Sequence, residues 1–211
     1  MTKKGILFDM DGTLINTYEN INFRQALSEL KTVQKTLILK ILKSRVRSFA
    51  EMETRILQEV EDPAEGKELV RRGSDFLLEH YDNAPLKKDA LMFLQYVKQK
   101  NYKICLCTNN ATEIVSHILR EKHMEAYFDY VITSQQVTRS KPDPQMYLEA
   151  LHNIDLTAEE CIVFEDTENG VMAARNAGID VIVVNDKEKR KYSDALMTIR
   201  DFGDYRLYQE F

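Results

Sequence analysis

Gly5-Ile6-Leu7-Phe8-Asp9-Met10-Asp11-Gly12-Thr13-Leu14 decides how the rest of the chain is read. Four residues without charge run straight into two carboxylates, two positions apart. A short, continuous apolar run is how a strand buried on both faces of a parallel sheet reads. In extended chain, residues i and i+2 face the same way, so Asp9 and Asp11 aim at one point. Carboxylates that close repel, and they require a cation or a shared proton between them. Gly12 then permits a turn and Thr13 offers a hydroxyl.

Similar apolar runs follow at Ile104-Cys105-Leu106-Cys107, Tyr130-Val131-Ile132-Thr133, Cys161-Ile162-Val163-Phe164 and Val181-Ile182-Val183-Val184. Helical spacing lies between them: Leu91, Leu94, Val97 and Lys98; Ile114, Ile118 and Leu119; Met146, Leu148, Ala150 and Leu151; Val171, Ala174 and Ala177. Alternating strands and helices predict a doubly wound α/β fold with a parallel, Rossmann-like sheet. Residues 16–83 break that rhythm. From residue 13 to residue 62 there is neither Gly nor Pro. Apolar positions recur every three or four residues: Phe23, Ala26, Leu27, Leu30, Val33, Leu37 and Ile41, then Phe49, Met52, Ile56 and Val60, then Leu69, Phe76, Leu77 and Tyr81. This predicts a helical cap over 16–83, inserted in a core made of 1–15 and 84–211. An insert placed after a strand's C-terminal end sits over the edge where such sheets bind ligands.

Polar groups follow the other strands too: Thr108-Asn109 after the second, Lys141 in Ser140-Lys141-Pro142-Asp143-Pro144 after the third, Glu165-Asp166 after the fourth. In a parallel sheet these ends lie side by side and converge on one crevice. The set suits phosphoryl transfer. A carboxylate attacking a phosphate ester meets anion–anion repulsion, which a divalent cation on Asp9, Asp166 and a backbone carbonyl would offset. Lys141 adds positive charge beside the nucleophile. Thr108 and nearby amides hold the remaining oxygens. Asp11 in its protonated form gives a proton to the leaving oxygen and later takes one from water. Hard oxygen ligands beside phosphate favour Mg2+ over zinc. Each motif alone also has an ordinary use: Asp-Gly turns a corner, Thr108-Asn109-Asn110 caps a helix, Lys141-Pro142 forms a solvated turn, and Glu165-Asp166 complements a helix dipole. Their joint occurrence, in order, at four strand ends is what argues for chemistry.

The set Asp9-x-Asp11-Gly-Thr-Leu, Thr108-Asn109, Lys141-Pro-Asp-Pro and Glu165-Asp166-x-x-x-Gly170 resembles the four signature motifs of the haloacid dehalogenase superfamily. The insert resembles the cap of its phosphoglycolate phosphatase and β-phosphoglucomutase branch. The resemblance implies a phosphoric monoester hydrolase acting through an aspartyl-phosphate. Asp9 is then nucleophile and metal ligand. Asp11 is acid/base and lends its carbonyl to Mg2+. Thr108 and Asn109 bind substrate phosphate, Lys141 neutralises charge, Asp166 binds metal, and Glu165 is a direct or water-mediated ligand. The alternatives are a phosphosugar mutase sharing the core motifs, or a non-catalytic binding protein on the same fold. Asn20-Ile21-Asn22 stands where the mutases carry a cap histidine, which lowers the mutase reading. Asn16 replaces an acidic residue found in many members, and Leu86-Lys87-Lys88 replaces a glycine-containing turn. Asp11 argues against a true dehalogenase, which lacks the second aspartate.

Composition sets outer bounds. The chain has 211 residues, 44% hydrophobic and 30% charged, with a net charge of -5. An acidic balance does not suit a binder of nucleic-acid polymers. No apolar run approaches a membrane span, and the N-terminus lacks a secretory pattern. The expected partner is a small phosphorylated metabolite. Cys105, Cys107 and Cys161 lie in strand-like runs without a histidine or further thiol, so they are expected as buried, reduced core residues in a cytoplasmic protein. His80, His117, His123 and His152 show no evident partners. Arg45, Arg47 and Arg72 of the insert are candidates for contact with an anionic leaving group.

Overall fold

The computed structural model describes residues 3–17, 27–28, 30–44, 48–184, 192 and 195–211. Strand β1 (Gly5–Phe8) is followed by inserted helices α1 (Thr32–Lys43), α2 (Phe49–Glu59) and α3 (Pro63–Asn83). Then come α4 (Ala90–Gln99), β2 (Lys103–Cys107), α5 (Thr112–Glu121), β3 (Tyr130–Ile132) and α6 (Gln145–Ile154). The chain continues through β4 (Cys161–Glu165), α7 (Glu168–Asn176), β5 (Asp180–Val184), β6 (Met197–Ile199) and α8 (Leu207–Glu210). The six strands form one sheet in the order β3-β2-β1-β4-β5-β6, and every neighbouring pair is parallel. The first strand is therefore flanked on both sides, by β2 and β4.

Strand alternation explains the burial. Ile6, Phe8, Ile104, Leu106, Ile162, Phe164, Ile182 and Val184 face one core. Leu7, Cys105, Cys107, Cys161, Val163, Val181 and Val183 face the other. With a period of two, a run that is apolar at every position feeds both faces. On the first face Phe8 stacks on Phe164 with ring centroids 4.9 Å apart, and Phe93 of α4 and Phe202 close around them. Burying one such side chain contributes about 1.5–3 kcal/mol. The three cysteines are free and lie in the second core, as their strand setting predicts.

The helix ends follow local chemistry. Ser48 accepts from the Glu51 amide at the start of α2, and Asp62 from the Ala64 amide at the start of α3, with Pro63 in the first turn. Ile41, Ile56 and Leu69 form a third, smaller core among α1–α3.

Some sequence expectations change. Val33 stands 82% exposed in the first turn of α1 although it keeps apolar spacing with Ile41. Leu148 is also exposed, because the buried stripe of α6 runs through Met146, Tyr147, Ala150, Leu151 and Ile154. A residue two positions from Met146 is rotated about 200° and leaves that stripe. Strand β6 was not anticipated: its three residues include an exposed threonine and make no apolar run. Phe23, Ala26 and the stretch Asn20-Ile21-Asn22 lie outside the described residues, as do Arg45 and Arg47. No helix among the described residues is long and apolar enough to cross a membrane.

Candidate active site

The site forms where β1, β2 and β4 end. The Asp9 amide donates to the Phe164 carbonyl at 2.9 Å, which carries the β1–β4 ladder one residue beyond the strand. The Thr108 amide likewise donates to Ile132 at 3.0 Å and extends β2. After Asp9 the chain turns: the amides of Leu14 and Ile15 both donate to the Met10 carbonyl, and the Gly12 amide donates to Ile15 at 2.7 Å. Gly12 has φ 75°, a left-handed conformation that explains the glycine there. Residues Asp11 and Ile15 are bridged, and Ile15 in turn pairs with Leu86. The two chain segments that lead to and from the inserted helices thus lie together.

Lys141 reaches in from the segment between β3 and α6. Its ammonium donates to Asp9 Oδ1 at 2.7 Å, Cys107 O at 2.8 Å and Glu165 Oε1 at 2.6 Å. All three of its protons are placed, and the residue is 2% exposed. Burial favours the neutral amine, but Asp9 and Glu165 outweigh it and hold the ammonium well above its ordinary range.

Glu165 is fully buried and occupied by protein donors. Oε1 also accepts from the Tyr147 hydroxyl at 2.8 Å, and Oε2 from the amide of Asp166 and the hydroxyl of Thr167, each at 3.2 Å. Its oxygens still lie within 4.8 Å of ligand atoms of Asp9 and Asp166. The sequence offered Glu165 as a direct or water-mediated ligand; its hydrogen bonds give it the further task of locking Lys141. Thr167 caps α7 through the Gly170 amide, which brings Gly170 against the Glu165 carboxyl.

Asp166 is the opposite case. Its Oδ1 is buried and has no hydrogen-bond partner among the described residues. Burial, and then repulsion from Glu165 and Asp11, push its carboxyl up to about 8. Burial and the same kind of repulsion, from Glu165, Asp166 and Asp11, raise Asp9 well above the carboxylate range despite Lys141. A buried, partnerless carboxylate oxygen beside two other carboxyls is a demand for positive charge. Three hard oxygen donors this close fit Mg2+.

Asp11 Oδ1 accepts from the Tyr81 hydroxyl at 2.6 Å, and Oδ2 from the Asn110 side-chain amide. Burial raises its carboxyl above the ordinary range, while Tyr81, the nearby Thr17 hydroxyl and Asn110 pull it back. Thr108 is buried at the end of β2, and its hydroxyl accepts from the Asn110 amide. The Asn109 carbonyl accepts from the amide of Phe49, the first residue of α2. The sequence-predicted set of Asp9, Asp11, Thr108, Asn109, Lys141, Glu165 and Asp166 thus comes from the ends of β1, β2 and β4 and from the Lys141 loop.

Tyr81, Asn110 and Tyr147 also belong here. Tyr81 reads as an apolar helix position and Asn110 as part of a cap; Tyr147 is not among the positions that the helical spacing singles out. Two histidines have partners that spacing did not reveal: His80 Nε2 lies 2.9 Å from the Thr17 carbonyl, and His117 Nε2 lies 2.8 Å from Asp82. Arg72 lines a cavity of about 550 Å³ among α1–α3 whose described walls include none of these carboxyls.

Four carboxyls and a buried lysine gather at the C-terminal edge of a parallel α/β sheet, where such folds place their chemistry. The model of haloacid dehalogenase-like hydrolases matches residues 3–178, and the chain belongs to that family. It is similar to a phosphorylated carbohydrates phosphatase of Thermotoga maritima, 32% identical, covering 85% of this chain and 83% of that one. It is also similar to the pyrophosphatase PpaX of Bacillus mycoides, 28% identical over 85% of this chain and 82% of the relative. The crystal structure of CbbY from Rhodobacter sphaeroides in complex with phosphate superimposes with a TM-score of 0.74, at 22% identity and 96% coverage of both chains.

Proposed function

We propose that this protein is a Mg2+-dependent phosphatase of a small phosphomonoester, working through an aspartyl-phosphate on Asp9. One observation carries the reading: Lys141 is locked between Asp9 and Glu165, while the adjacent Asp166 Oδ1 is buried without a hydrogen-bond partner among the described residues. That arrangement provides a nucleophile, a fixed cation and a demand for a second cation at one point.

Asp9 and Asp166, with the Asp11 carbonyl, would hold the metal. When bound, the ion offsets the charge of the phosphoryl oxygens and of the carboxylates around them. Asp9 Oδ1 is tied to Lys141, which leaves Oδ2 for attack. The Asp9 oxygen bonds to phosphorus, the ester P–O bond breaks, and the Asp11 proton goes to the leaving oxygen. Water then attacks phosphorus, gives a proton to Asp11, and the P–O bond to Asp9 breaks to release inorganic phosphate. Lys141 stays charged throughout and stabilises the phosphoryl group with Thr108 and Asn109.

The chain divides in this reading into a catalytic core of 1–15 and 84–211 and a helical cap of 16–83. The core meets the phosphoryl group shared by all such esters, so the cap selects the leaving group. The buried free thiols suit a reducing, cytoplasmic setting. The carbohydrate phosphatase and the pyrophosphatase among the relatives set the substrate panel: sugar phosphates, other small monoesters and pyrophosphate.

Phosphate release from that panel, with Mg2+ and with chelator, is the test. We expect metal-dependent release from at least one monoester, and its loss in Asp9→Asn while the fold by circular dichroism is kept. A folded Asp9→Asn protein with near wild-type turnover would remove the covalent mechanism.

A further inference from the structure

The last turn of α3 is fastened to the rest of the molecule by three successive residues. His80 Nε2 lies 2.9 Å from the Thr17 carbonyl, on the segment after β1. Asp82 meets His117 of α5 at 2.8 Å, and its carbonyl accepts from Lys122 at 2.9 Å. Between them Tyr81, 5% exposed, points its hydroxyl at Asp11 Oδ1. Asn110 donates to Asp11 Oδ2 and also to the Tyr81 oxygen at 2.7 Å. The three side chains close a triangle in which each Asp11 oxygen has one donor. The phenol is held protonated by burial and by Asp11 itself.

We propose that Tyr81 is a positioning residue for Asp11, carried into the site by the inserted helices. The proposal rests on the acid/base reading of Asp11. A carboxyl has about four acceptor directions, two on each oxygen. Tyr81 and Asn110 take one on each oxygen and fix the plane of the group, so that the reacting proton is confined to the directions they leave. When the ester P–O bond breaks, the proton passes from Asp11 to the leaving oxygen along a direction already set. Loss of such alignment costs rate even when the acid itself remains. The ordinary alternative is a buried hydroxyl that takes the nearest acceptor. The two differ in what the reaction senses.

The experiment compares wild type, Tyr81→Phe, Asp11→Asn and the double variant on an alkyl phosphate and on 4-nitrophenyl phosphate. The readout is kcat/KM, which reports the first transfer. A poor alkoxide leaving group needs the proton and a nitrophenolate needs it little. Tyr81→Phe is expected to lower kcat/KM on the alkyl ester by about tenfold to a hundredfold, within the range of mispositioned catalytic groups, and on the aryl ester far less. The double variant is expected to be no slower than Asp11→Asn alone, because Tyr81 acts through Asp11. Asn110→Ala should reproduce the same leaving-group bias, which keeps the test available should Tyr81→Phe fold poorly. His117→Ala cuts a neighbouring tie without touching Asp11 and should show no bias. Equal losses on both esters, or losses in the double variant that multiply, would overturn the proposal. A wild-type rate on the alkyl ester that Asp11→Asn leaves unchanged would instead overturn the acid/base reading itself.

Discussion

Gly170 shows how one missing side chain serves a charge network. A Cβ at this position would lie 1.9 Å from both Cδ and Oε1 of Glu165. The glycine allows α7 to start against the carboxyl that holds Lys141. Gly170→Ala is expected to cost about 1–3 kcal/mol or more, as overpacking at a rigid site does. It should also lower turnover, because a displaced Glu165 releases Lys141. A thermal melt and a steady-state assay check both; unchanged melting and turnover would separate Gly170 from the network. At this scale the sequence was legible where chemistry is local. Asp9, Asp11, Lys141 and Asp166 stand directly after strands or in a short motif, and the sheet brings them together whatever lies between. Tyr81 was not legible, because its spacing with Leu77 fits a core position equally well. Only the tertiary approach of α3 to β1 reveals its hydroxyl's partner.

Elements are joined by polar ties as well as by apolar faces. Asp129, just before β3, accepts from the Ile104 amide at 2.8 Å and from Lys98 of α4 at 2.9 Å. Partial burial works to raise its carboxyl, but the Ile104 amide and Lys98 together hold it below the usual value. A carboxyl with a lowered folded-state pKa stabilises the fold above its unfolded pKa, and that contribution is lost as pH falls through the folded value. Asp129→Asn should therefore be less stable than wild type near pH 7, by about 1 kcal/mol as for a typical hydrogen bond. The gap should close below about pH 3, under the ordinary aspartate range. Urea midpoints at both pH values measure this, and a gap that stays constant would refute it. Five strands were readable because each is a near-continuous apolar run between turn signals. β6 was not, since Met197–Ile199 is only three residues long and sets an exposed threonine between its two apolar side chains. Helix positions such as Val33 misled for the converse reason: periodicity names a face, while exposure depends on what packs there.

The whole molecule carries an electrostatic load at one end of its sheet. Asp9, Asp11, Glu165 and Asp166 converge there; Lys141 bonds to Asp9 and Glu165, and the charge of buried Lys87 acts on Asp166. A bound divalent cation should relieve that repulsion and stabilise the fold. At about a hundred times its dissociation constant, an ion that binds only the native state contributes about 2.7 kcal/mol. For a chain of this size that raises Tm by roughly 5–10 °C. Mg2+ should produce such a shift in wild type and little in Asp166→Asn; equal shifts in both would move the metal elsewhere.

The strand order has a further consequence, for how the chain acquires its shape. β1 lies inside the sheet, yet its neighbours begin at Lys103 and Cys161. A four-residue strand cannot persist alone, so Gly5–Phe8 must wait for both partners to be made and collected. Such distant pairing is slow, and it leaves Ile6, Leu7 and Phe8 uncovered in the meantime. During synthesis the inserted helices, whose contacts are closer in sequence, emerge and can fold while this strand is still unpaired. The segment that bears the nucleophile is thus made before either of its partner strands and secured only after both, so Asp9 gains its place as the sheet itself is completed.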